Sequence, residues 1–232
     1  SDMTANGWIQ IAVFIAIVAG LTVPVGTWLH RVMEGDAPPG VSVLGRLEAL
    51  CYRIIGVDPT REMGAAAWAG AVLAFSGVGA AFTFLVLRFQ SHLPFNPQGF
   101  GDLSWHLALN TAVSFTTNTN WQSYGGETTL SYLSQAVALV YHNFTSAAVG
   151  MAVAMAVVRG LTRKDRAGTL GNFWRDLVRS HLYVLLPLCL VYAVVLVAGG
   201  VPQTWSAYPV ATPMDALGDA PGQTIALGPV AS

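Results

Sequence analysis

The run from Trp8 to Leu29 limits this chain more than any other feature, because no charged residue interrupts it. At about 1.5 Å per residue, some 20 apolar residues in helical form match a hydrocarbon core roughly 30 Å thick. Three more apolar runs follow, near 65–87, 129–158 and 181–198. Only 10% of the residues are charged and 53% are hydrophobic, against roughly 25% charged in a soluble domain. The chain reads as an all-α membrane protein. A net charge of −1 offers no basic field for nucleic acid, which is not expected as a partner; the lipid bilayer is.

Trp8 and Trp28 bracket the first span as an interfacial belt, and Pro24 sits near its end. Ser1 and Asp2 ahead of Met3 look like a cloning scar, so the span is assigned to 3–30 and kept as a retained helix. A polar segment at 31–63 contains a short amphipathic stretch, 43–55, with Leu44, Leu47, Leu50 and Ile54 on one face and Arg46, Glu48 and Arg53 elsewhere. It is expected to be an interfacial or loop-packed helix, too short to cross. Gly70, Gly77 and Gly79 make span two rich in small residues, which let helices approach closely in lipid. Cys51 and Cys189 are far apart, with no CxxC or HExxH, and read as small hydrophobes.

Between spans two and three, a turn-rich stretch, 93–99, precedes a helical pattern over 104–115, which Asp102 or Ser104 can cap. About 12 residues give roughly 18 Å, only half a membrane. A polar run follows, Thr116-Thr117-Asn118-Thr119-Asn120-Trp121-Gln122. Span, short helix, polar run, span is the pattern of a re-entrant pore loop. Carbonyls of such a run can replace the hydration shell of an alkali ion. Thr and Asn side chains can brace the strained backbone, and the negative end of the short helix would point at the ion. Gly125 and Gly126 would let the chain climb back out. A plain outer loop of turn formers is the competing reading of the same residues.

Arg31, Arg46, Arg53 and Arg61 lie before span two, and Arg159, Arg163, Lys164, Arg166, Arg175 and Arg179 between spans three and four; only Arg88 falls on the other side. By the positive-inside rule the N-terminus, the pore loop and the final segment face outward. Gln135, His142 and Asn143 lie within span three, as pore lining or as interhelical hydrogen-bonding groups. His106 reads as a packing residue, Glu127 as an outer charge or a solvated carboxylate, and Arg159–Arg166 as a docking loop or simply the orientation signal. Span three, at about 45 Å, must tilt, break or project, with Gly150 as the weak point.

The stretch from Asn110 to Gln135, together with 143–148, 170–172 and 228–232, closely resembles the potassium-binding A subunit of the Kdp potassium-transporting ATPase. The resemblance implies a potassium-channel-like architecture of helix–pore loop–helix repeats, four around one pore, after an extra N-terminal transmembrane helix. Repeat one would cover 64–160, a cytoplasmic basic loop 161–180 and the first helix of repeat two 181–199. An extracytoplasmic segment at 200–232 would stop before a second pore loop. Thr117, Asn118, Thr119 and Asn120 would be the first filter strand through their carbonyls, with Thr116, Trp121 and Gln122 flanking it, and K+ as the transported ion. It further implies capture of K+ for a separate P-type ATPase, the B subunit, with C and small F subunits completing the complex, in the bacterial inner membrane. No GxxxxGK[ST] and no DKTGT context occurs, so neither an ATP site nor a catalytic residue is expected in this chain. A stand-alone channel or secondary potassium transporter is the alternative.

Overall fold

The computed structural model describes residues 4–35, 41–163, 168–212 and 222–229. Ser1 and Asp2, like Lys164 and Arg166 of the basic loop, lie outside the described residues. The elements are α1 (Ala5–Glu34), α2 (Val41–Ile55), α3 (Ala65–Arg88), α4 (Trp105–Thr116), α5 (Gly126–Thr129), α6 (Tyr141–Thr162), α7 (Phe173–Arg179) and α8 (Leu186–Ala198). A π-helical turn, Ser134–Val140, leads into α6, and another, Ser180–Leu185, joins α7 to α8. Among the described residues, four continuous helices are long and apolar enough to cross a membrane: Ala5–Glu34, Ala65–Arg88, Ser134–Thr162 and Phe173–Ala198. All four expected spans are therefore present.

Three apolar clusters hold them. Val32, Met33 and Tyr52 pack on Val178, Leu182 and Tyr183 at one end. Trp68 and Phe173, with ring centres 5.5 Å apart, close on Ala148, Ala152 and Ala156 in the middle. Leu87, Leu103, Ala108, Phe115, Leu130 and Leu139 seat α4 between α3 and the start of span three. Small residues permit this closeness: a Cβ on Gly79 would lie 2.9 Å from the His142 ring.

Several local expectations change. Span three runs unbroken through Gly150; its irregularity is the π turn at its start, a feature frequent at functional sites. Span four begins at Phe173, within the segment expected to be a loop, because Asn172 caps it by accepting a hydrogen bond from the Arg175 amide at 3.1 Å. Arg175 and Arg179 are helical residues. The apolar face of α2 divides, with Leu44 packed on the cluster around Val32, Met33 and Tyr52. Leu47, Leu50 and Ile54 are exposed while Glu48 is buried. Glu48 turns inward because three donors await it: Arg179 Nε at 2.8 Å and the hydroxyls of Tyr52 and Tyr183 at 2.7 Å each.

Charge binds one end of the bundle together. Arg159 pairs with Asp176 and, at 2.6 Å, with Glu34, while Arg163 reaches Glu34 at 2.6 Å and Glu62 at 3.2 Å. Gly171, at φ +89°, leaves the space that the Arg159 guanidinium fills. The other end is tied by neutral groups. Gln90, fully buried, donates to the carbonyls of Gly101 and Thr129 and accepts from the Ser131 amide. The Tyr132 hydroxyl donates toward the carbonyls of Ser206 at 2.8 Å and Leu227 at 2.7 Å. There the two-residue strands β1 (Val210–Ala211) and β2 (Gln223–Thr224) pair antiparallel.

Candidate pore-loop site

The short helix α4 is 12 residues long, the expected half-membrane element. Its start differs from expectation. Ser104 occupies the N-cap position without a capping hydrogen bond. Asp102 instead accepts from the Ser91 amide at 2.9 Å, which holds its carboxyl below the usual carboxylate range. His106 is exposed beside Ser104.

The polar run folds back against the last turn of α4. Thr117 N donates to Val113 O at 3.0 Å, Asn118 N to Phe115 O at 3.2 Å, and Thr119 N and Asn120 N to Ser114 O at 2.9 and 3.2 Å. Trp121 N donates to Ser114 Oγ at 2.8 Å. Every peptide bond is trans among the described residues. A trans unit sets its C=O opposite the N–H that follows it. With those amides all aimed at the helix end, the carbonyls of Thr116, Thr117, Asn118, Thr119 and Asn120 turn away from it. None of the carbonyls of residues 117–120 accepts a hydrogen bond among the described residues, and the side chains of this stretch are exposed. The row ends at Trp121, whose carbonyl turns back to accept from Ser114 Oγ at 2.8 Å.

Asn118 and Asn120 adopt φ +59° and +56°, the left-handed region that Asn tolerates better than other non-glycine residues. Positive φ here at alternate residues keeps successive amides on one side. Gly125, by contrast, sits at φ −84°, and neither Gly125 nor Gly126 has positive φ. The freedom assigned to these glycines is used by the asparagines instead.

The carbonyls of Val113, Ser114 and Phe115 in the last turn of α4 are taken up by the amides of the run. The negative helix end therefore acts through the run, since each N–H bonded to it polarises the C=O of the same peptide unit.

The flanking residues have separate surroundings. Thr116 Oγ1 lies 3.3 Å from His142 Nε2, which is also 3.2 Å from Gly79 O. His142 is thus buried between α3 and the end of α4, the interhelical arrangement. Gln122 is half-buried, and its Oε1 has no hydrogen-bond partner. Asn143 is exposed. Gln135 donates to Leu130 O at 3.2 Å and borders a cavity of about 630 Å³ shared with Glu127, Tyr132 and Tyr208. Among the described residues no three His, Cys, Asp or Glu side chains converge as a metal site.

Two contacts on the run were not anticipated. The Ser114 hydroxyl and the Ser146 hydroxyl, the latter donating to Asn118 Oδ1 at 3.1 Å, both brace it. The sequence signal for Ser114 is a hydroxyl on a helix next to a polar run; Ser146, on α6, has no such neighbour in sequence. The inward charges Glu48, Arg159 and Arg179 were likewise missed, because positive-inside counting treats arginines as loop markers.

The chain is similar throughout to proteins already characterised by name. The potassium-binding subunit of the potassium-transporting ATPase of Methylobacterium radiotolerans is 50% identical over 230 residues, covering 99% of this chain and 39% of that protein. The protein of the same name from Rhodospirillum centenum is 52% identical over 232 residues, again 99% of this chain and 39% of its own length. That of Nitratidesulfovibrio vulgaris is 52% identical over 224 residues, 96% of this chain and 38% of its own. The chain therefore spans about two fifths of the length of the curated relatives it matches. The family model described as potassium-transporting ATPase A subunit matches residues 12–232. With a match over nearly its whole length and four helices long and apolar enough to span a membrane among its described residues, this membrane chain belongs to the family of the potassium-transporting ATPase A subunit.

Proposed function

We propose that this chain binds and translocates potassium as part of an ATP-driven, high-affinity uptake complex. The row of outward-turned, unbonded carbonyls at Thr117, Asn118, Thr119 and Asn120 carries the reading. Main-chain oxygens that a braced backbone holds on one side can exchange for the water around K+ without the tight grip of a carboxylate. Thr116, Trp121 and Gln122 flank this strand. One strand supplies a quarter of a coordination ring, and in this reading three further pore loops of the full-length protein supply the rest. The ion then passes to a separate P-type ATPase, the B subunit, with C and F subunits completing the assembly. This chain contributes no ATP site and no catalytic residue. The setting is the bacterial inner membrane, with the N-terminus and pore loop outside, supported by the arginine-rich ends gathering at one end of the bundle.

Gln122→Arg tests the reading in the full-length protein within its assembled complex. A guanidinium about 8 Å from the ion costs roughly 2 kcal/mol at an effective dielectric near 20. Apparent potassium affinity, read from K+-stimulated ATP hydrolysis, should fall by tenfold or more. Unaltered affinity and unaltered preference over rubidium and sodium would overturn the filter assignment. Uptake that follows membrane potential in vesicles without ATP would mark a stand-alone channel or secondary transporter instead.

A further inference from the structure

Resting on that filter reading, we infer that Ser114 is a specificity-determining positioning residue of the pore loop, with Ser146 as its counterpart on span three. Several threonine hydroxyls among the described residues, three on other helices and one at the end of α4 itself, follow the common local pattern. Thr22, Thr27, Thr117 and Thr162 each donate to the carbonyl four residues back, the usual fate of a helical hydroxyl. Ser114 departs from it. Its hydroxyl reaches forward seven residues to hold both the N–H and the C=O of Trp121, each at 2.8 Å. Its carbonyl accepts the amides of Thr119 and Asn120 as well. One residue thereby fixes the outer half of the run and decides where the carbonyl row stops.

Ser146 fixes the middle from another element. Its hydroxyl donates to Asn118 Oδ1, the same oxygen that Asn120 Nδ2 approaches at 3.3 Å. The two left-handed asparagines are so linked to each other and to α6. Ions of equal charge and different radius can be told apart when the oxygens around them resist moving to suit each ion. Without the Ser114 hydroxyl, Trp121 loses both backbone bonds, its carbonyl is free to join the row, and the outer end of the run can relax.

The experiment uses the full-length protein in its assembled, purified complex and compares ATP hydrolysis stimulated by K+, Rb+ and Na+. S114A should reduce the preference for K+ over Rb+ by about tenfold, the consequence of losing two modest hydrogen bonds. S114T, which keeps the hydroxyl, should restore most of it. S146A should reduce the preference by about threefold. Unchanged preference in S114A, or equal loss of turnover with every ion and no rescue by S114T, overturns the inference. If S114A fails to assemble, unchanged preference in S146A overturns it. Failure of the filter reading looks different: Gln122→Arg would then leave potassium affinity and ion preference unaltered. A selective unmodified complex that responds to Gln122→Arg but not to the serine changes sinks only the present inference.

Discussion

At the residue scale, the pore-loop geometry depends on asparagines that stand where glycine would be expected. Asn120 at φ +56° has a conformation that a β-branched residue adopts only at a cost of about 1–3 kcal/mol. Asn120→Val in the full complex should therefore lower apparent potassium affinity by tenfold or more, and Asn120→Gly by much less. Similar losses in the two variants would show that backbone conformation is not what matters at this position. Gly79 is the second such residue, since a methyl there meets the His142 ring at 2.9 Å. Gly79→Ala should cost about 1–3 kcal/mol by overpacking and lower the melting temperature of the purified complex, with partial recovery when His142→Ala is added. No recovery would place the strain elsewhere. The TTNTNWQ run itself was legible as a break in helical pattern. The positive φ values were not, because Gly125 and Gly126 drew the conformational argument to themselves.

At the scale of elements, apolar runs located every span, and the half-length helix α4 was placed within a residue of its bounds. Polarity misled where charge is buried. Arg175 and Arg179 marked a loop only on the assumption that they face water, yet Arg179 donates to Glu48 and to the carbonyls of Val32 and Gly35. The same ion pair draws Glu48 of α2 inward, which no periodicity argument detects when the buried polar group has its partners in another element. Burial pushes the Glu48 carboxyl up, but hydrogen bonds from Arg179, Tyr183 and Tyr52 outweigh it and hold the group below its ordinary value of 4.5. A lowered folded-state pKa gives stability that is full above pH 4.5 and is lost as pH falls through the lowered value. The melting temperature of the complex should thus drop more steeply below pH 4.5 than that of Glu48→Gln, and the two slopes should agree between pH 6 and 8. Parallel curves throughout would remove Glu48 from the account. The Arg159 cluster predicts a larger effect. Arg159→Met leaves Asp176 and Glu34 short of their buried partner, at about 3–5 kcal/mol. Membranes should contain far less assembled protein, and normal amounts would show that the cluster does not hold the bundle.

At the scale of the molecule, the two ends of the bundle are joined by different chemistry. Ion pairs close the arginine-rich end, while Gln90 and Tyr132 close the end near the pore loop with neutral hydrogen bonds. Between them α4 ends at Thr116, whose hydroxyl meets His142, so the polar run sits at the tip of a packed element. That placement follows from cluster contacts distributed over α3, α4 and the start of span three, none adjacent in sequence. The long apolar face of α1 and most of α8 stay exposed, as lipid-facing or partner-facing helices do. The central claim is that carbonyls of residues 117–120 coordinate a dehydrated potassium ion, and the most direct measurement is anomalous diffraction from the full-length complex loaded with rubidium or thallous ion. The account predicts a peak in direct contact with the main-chain oxygens of Thr117 to Asn120, displaced by excess potassium; a peak elsewhere, with this strand bare or its carbonyls turned into the helices, would contradict it.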